Sequence, residues 1–150
     1  MAKFVYKMQN ILELKVRLES QAKTEYAQKA AELNAEEEKM QSLILKGREY
    51  ENRIREYSEF KIDIVNVRKY SEYFEIIKEN IKEQALKITI AQRNLERARQ
   101  KLNVTIQERK IQDKLKEKAF EEFKIELNEQ EKKEIDELVS FKYNDKKTGD

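Results

Sequence analysis

Phe60-Lys61-Ile62-Asp63-Ile64-Val65-Asn66-Val67 is the stretch on which the fold turns. On either side of it apolar residues recur at helical spacing. Within it β-branched side chains crowd together, and these lose rotamer freedom in a helix. Asp63 stands where an N-cap belongs, its carboxylate placed to accept from the first free N–H groups of a new helix. The spacing predicts a first helix over about 3–60, a turn at about 61–64 and a second helix over about 65–140. The competing reading, one continuous helix of a parallel dimer, stays open because the stretch has neither Gly nor Pro.

Upstream, Phe4, Met8, Ile11, Lys15, Leu18, Ala22, Tyr26, Ala30, Leu33, Glu37, Met40, Ile44, Gly47, Glu51 and Ile54 follow one another in steps that alternate between four and three. Only Lys15, Glu37, Gly47 and Glu51 break the apolar character, so this is the seam of a coiled coil. An extra step of four from Ala22 to Tyr26 reads as a stutter. Downstream, the seam is Tyr70, Phe74, Ile77, Ile81, Gln84, Ile88, Ala91, Leu95, Ala98 and Leu102. It blurs over residues 103–110 and resumes as Ile111, Leu115, Ala119, Phe123 and Leu127.

Folding back near residue 64 pairs positions whose numbers sum to about 128, an a position against a d position as antiparallel pairing requires. Ala30 then meets Ala98, Leu33 meets Leu95, Met40 meets Ile88, and small Gly47 meets bulky Ile81. With Phe4 near Phe123, everything from Leu127 onward lies beyond the first helix. The fold class is therefore all-α, a long two-helix antiparallel coiled-coil hairpin with a C-terminal helical overhang. It forms a single domain over 1–142, followed by a disordered tail over 143–150.

Of the 150 residues, 41% are charged and 39% hydrophobic, with two Gly and no Pro. That is the composition of long helices, and the regular apolar pattern argues against a disordered polyampholyte. The net charge is +2 and the signs interleave, as in Glu36-Glu37-Glu38-Lys39, whereas a nucleic-acid binder gathers basic residues on one face. No apolar run approaches the roughly 20 residues of a membrane span. The start of the chain lacks the apolar core of a secretory signal, and the absence of cysteine is compatible with the cytoplasm. With no His and no Cys, the commonest general base and the usual zinc ligands are missing. The two glycines are too far apart for a phosphate loop. The expectation is a binding protein with no catalytic, metal or cofactor site. Tyr50, Tyr57, Tyr70 and Tyr73 cluster near the turn; Tyr70 falls in the seam, while Tyr50 and Tyr73 fall outside it, where exposed tyrosines suit an interface.

Three stretches resemble a known family. Phe4-Val5-Tyr6-Lys7-Met8-Gln9-Asn10-Ile11-Leu12-Glu13-Leu14-Lys15 is similar to the aromatic-then-leucine start of the FliJ family of the flagellar type III export apparatus. Val67-Arg68-Lys69-Tyr70-Ser71-Glu72-Tyr73 resembles that family's entry to its second helix, and Glu131-Lys132-Lys133-Glu134-Ile135-Asp136-Glu137 its Glu-x-Lys-Glu-x-Asp-Glu signature. A hairpin folded within one chain is expected to be monomeric when isolated, and the resemblance implies a cytoplasmic factor similar in shape to the central stalk of rotary ATPases. It implies three partners: a hexameric export ATPase, the cytoplasmic domain of the membrane-embedded export gate, and export chaperones. Association with the inner membrane would then run only through those partners. The implied gate face is Leu43, Tyr50, Tyr73 and Ile77, with Lys39, Lys46, Asn80 and Gln84 as neighbouring departures from the family pattern. The implied ATPase-facing element is Glu131, Lys133, Glu134, Asp136 and Glu137, joined by Ile135 and Leu138 of the overhang. The alternatives are the equivalent stalk of a virulence secretion system and a generic coiled-coil scaffold.

Overall fold

A computed structural model of the chain describes residues 2–148. Two long helices, α1 (Gln9–Arg55) and α2 (Ile64–Thr148), are joined by a π-helical turn over Glu56–Phe60 and three non-helical residues. The described residues contain no strand. Two compact units are distinguished, one holding the chain up to Glu19 and from Val104 onward, the other Ser20–Asn103. In each, a stretch of α1 packs antiparallel against a stretch of α2.

The chain reverses between Arg55 and Ile64, so α1 ends before the expected residue 60, for two local reasons. The Ser58 hydroxyl donates to the Ile54 carbonyl at 2.6 Å, competing with the helical ladder, and the Lys61 N–H reaches five residues back to the Glu56 carbonyl at 3.1 Å. Asp63 then caps α2: its carboxylate accepts the Asn66 N–H at 3.3 Å and the Asn66 side-chain amide at 2.7 Å. In the Ser20–Asn103 unit the α2 seam runs as read from the sequence, with Ile77, Gln84, Ala91 and Ala98 buried. The α1 seam differs in one of its two lines. Leu33, Met40, Gly47 and Ile54 point inward as expected, but their companions are Glu36, Leu43 and Tyr50, whereas Glu37, Ile44 and Glu51 are exposed. The steps stay regular through Ala22, Tyr26 and Lys29, so the stutter disappears.

The register shifts with it. Gly47 lies against Ile77 rather than Ile81, giving a sum of 47 + 77 = 124 in place of 128. The Gln84 side-chain amide donates to the Glu36 backbone carbonyl at 2.8 Å and to its carboxylate at 2.5 Å. A buried amide without such partners is costly, so this pair favours the observed register over one matched on apolar content alone.

In the other unit the chain before Gln9 is not helical, contrary to the expected start near residue 3. It lies extended along α2, with the Phe4 ring 5.2 Å from that of Phe120 and 5.4 Å from that of Phe123, and the buried Tyr6 hydroxyl 3.2 Å from Gln112 Oε1. The seam expected to blur after residue 102 keeps its phase, carried by Thr105, Arg109, Gln112, Lys116, Ala119 and Phe123. Ile11, Ile111 and Leu115, read as seam residues, are exposed. Polar pairs line the seam and its edge: Lys15 Nζ meets Glu108 at 3.0 Å, and Arg109 binds buried Glu19 and, at 2.6 Å, the exposed Asp113 one turn on. α2 continues to Thr148, so residues 143–148 are helical where a disordered tail was expected; the last two residues of that tail lie outside the described residues.

Candidate partner-binding surfaces

The expected gate face divides between the seam and its edge. Ile77 is only 7% exposed and sits against Gly47, so its side chain serves packing. Leu43 and Tyr50 are half-buried. Tyr50, expected outside the seam, lies in it: its ring is 6.0 Å from that of Tyr70 and 5.7 Å from that of Tyr73. Tyr57 stacks on Tyr70 at 5.8 Å with the planes 7° apart, and the Lys69 ammonium stands 5.9 Å and 5.8 Å from the Tyr70 and Tyr73 rings. Aromatic pairs at these separations are attractive beyond their buried area. The four tyrosines thus form one ladder beside the turn, and Tyr73, at 39% exposure, is its outermost rung.

Leu43 also opens into a shallow surface depression shared with Lys39, Lys46, Asn80 and Gln84. These are the four neighbours of the gate face that the resemblance singled out, and they line the same depression as that leucine. Lys87 and Glu83 complete the rim. Next to it, Glu36 is held below the ordinary carboxylate value of 4.5, first by the Gln84 amide bond and further by the charges of Lys39 and Lys87, with burial opposing.

On the far part of α2, every side chain from Asn128 to Lys146 is exposed. Glu131, Lys133, Glu134, Ile135, Asp136, Glu137 and Leu138 all belong to this stretch, with no α1 residue covering them. The apolar side chains are more numerous than the sequence reading found: Val139, Phe141 and Tyr143 are exposed beside Ile135 and Leu138. They were missed because the apolar pattern was taken to end at Leu138. Their signal was the continuing helix, which places residues three and four apart on one face. Also missed as exposed apolar residues were Phe60, Ile62, Ile64 and Val65, because the β-branching of the last three marked only the turn.

No group of acidic residues among those described is arranged to hold a metal ion, and no helix of the described residues is long and apolar enough to cross a membrane. The family model described as flagellar FliJ protein matches residues 4–148. Neither the curated proteins nor the solved structures contain a match to this chain.

Proposed function

This chain belongs to the flagellar FliJ protein family, a non-catalytic family of the flagellar export apparatus, and on that premise we propose that it is the stalk factor that engages the hexameric export ATPase and links it to the export gate and export chaperones. It acts by binding, on the cytoplasmic side of the inner membrane and as a monomer when isolated. The observation that carries the ATPase role is the uncovered stretch of α2 beyond Leu127. It exposes Ile135, Leu138, Val139 and Phe141 among acidic side chains, and apolar side chains left exposed along one stretch of helix suit burial against another protein. Each apolar side chain, fully covered, contributes about 1.5–3 kcal/mol to association. Glu131, Glu134, Asp136 and Glu137 would steer the segment toward basic groups at the ring entrance and set its orientation.

The test is truncation after Gln130. Because the described side chains beyond Gln130 are all exposed, ellipticity per residue and sedimentation should stay near those of the full chain while stimulation of the cognate export ATPase disappears. Full stimulation by the truncated chain would remove this segment from the mechanism. The gate role rests on the exposed edge of the tyrosine ladder: Tyr73→Ala should weaken binding to the gate's cytoplasmic domain by more than about 1 kcal/mol, the level of a useful interface residue.

A further inference from the structure

The turn that joins α1 to α2 is unlike a solvent turn in composition. Turns favour Gly, Asn, Asp, Ser and Pro, which adopt the needed dihedrals and are well hydrated. Here Phe60, Ile62, Ile64 and Val65 lie within six residues and are 73% to 86% exposed. The exposure is fixed by the backbone. The Lys61 N–H bond to Glu56, the Asp63 N–H bond to the Tyr57 carbonyl at 3.1 Å and the Asp63 cap hold the reversal in place. A convex apolar tip rather than a groove results.

The charges around it are unbalanced. Within residues 53–69, Arg53, Arg55, Lys61, Arg68 and Lys69 stand with Glu56, Glu59 and Asp63, a surplus of two positive charges (five minus three). Glu56 is within 3.9 Å of Arg53, and Asp63 is occupied with Asn66, whereas Arg55, Lys61 and Arg68 make no ion pair among the described residues. Exposed apolar side chains at a tip ringed by unpaired cations match the interface of an anionic bilayer: the apolar groups enter the acyl boundary and the cations stay among the headgroups.

We propose that this turn docks directly on the surface of an anionic membrane, inserting Phe60, Ile62, Ile64 and Val65 to interfacial depth. The chain would then contact the bilayer itself and not only through protein partners. The insertion is shallow, because four side chains on a turn cannot cross the acyl region.

The absence of tryptophan in the chain makes the test specific. The full-length Phe60→Trp variant carries one reporter at the tip. With vesicles of phosphatidylcholine containing roughly one-third phosphatidylglycerol, its emission should shift to the blue and be quenched by brominated acyl chains; with phosphatidylcholine alone the response should be much weaker. Ile62→Ser with Ile64→Ser should reduce co-sedimentation with the anionic vesicles about tenfold at unchanged ellipticity, since lost apolar burial weakens interfacial binding. Lys61→Glu with Arg68→Glu should abolish the dependence on anionic lipid. Tryptophan emission from the Phe60→Trp variant that does not shift when anionic vesicles are added overturns the proposal, as does vesicle binding that survives the double serine variant. A serine variant that loses binding to the gate's soluble domain, with no vesicle response in the parent, assigns the tip to a protein pocket instead.

Discussion

A methyl group added at Gly47 would stand 3.4 Å from Ile77 Cγ2 and 4.0 Å from the Phe74 ring, ordinary contact distances. Glycine inside a helix costs about 1 kcal/mol relative to alanine, mostly in backbone entropy. Gly47→Ala should therefore raise stability by up to about 1 kcal/mol in denaturant titration, whereas Gly47→Leu, which must push the two helices apart, should lower it. Glu36 offers a pH test at the same scale. Its folded-state pKa is depressed, chiefly by Gln84, so its contribution is present above the unfolded value near 4.5 and is lost as pH falls below that through the folded value. The difference in melting temperature between the parent and Glu36→Gln should be constant from pH 7 to about 5 and shrink below. A difference that does not change with pH would show that the carboxylate charge plays no part. The sequence marked Gln84 as the polar break in its stripe, but its partner could not be read there: Glu36 and Glu37 are alike in type, and only the rotation of α1 selects between them.

Between elements, the register is the quantity that stability and specificity share. Two alignments of α1 on α2, offset by four residues, carry nearly the same apolar content within the Ser20–Asn103 unit. The observed one sets Leu33 opposite Ala91 (33 + 91 = 124), the register of Gly47 with Ile77. Cysteines at Leu33 and Ala91 should form an intramolecular disulfide under mild oxidation more readily than cysteines at Ala30 and Ala98, the pair favoured by the other alignment. The reverse order would restore the four-residue shift. In the unit that holds the chain ends, the seam is polar at Lys15, Glu19, Arg109 and Gln112, and such pairs gain little over apolar packing while depending on mutual satisfaction. Arg109→Leu alone should speed amide exchange around Gln112, because it strips a partner from buried Glu19; Glu19→Leu with Arg109→Leu should restore or exceed the parent's protection. Equal exchange in the single and double variants would show that the pair is not coupled. The sequence missed Glu19, Arg109 and Gln112 because apolar spacing favoured Ile11 on α1 and Ile111 and Leu115 on α2, which the fold leaves exposed.

For the molecule as a whole, both seam lines find partners within one chain, so the isolated protein should sediment as a monomer at micromolar concentration; a parallel dimer would return the continuous-helix alternative. Composition and the alternation of four and three were enough to make the chain all-α with one reversal near Asp63, because a helix period and a cap are local properties of consecutive residues. The family was legible for a similar reason, its three stretches being short runs in fixed order. Which lines of α1 turn inward, which residue Gly47 meets, where the first helix begins and how far the second one runs were decided only by tertiary structure. Those outcomes depend on pairings between residues far apart in the chain, Gln84 with Glu36, Arg109 with Glu19, Phe4 with Phe120. A linear pattern ranks apolar residues by spacing alone. Folding also ranks the polar ones, because a buried amide or carboxylate must find its partner, and that requirement rotated the seam.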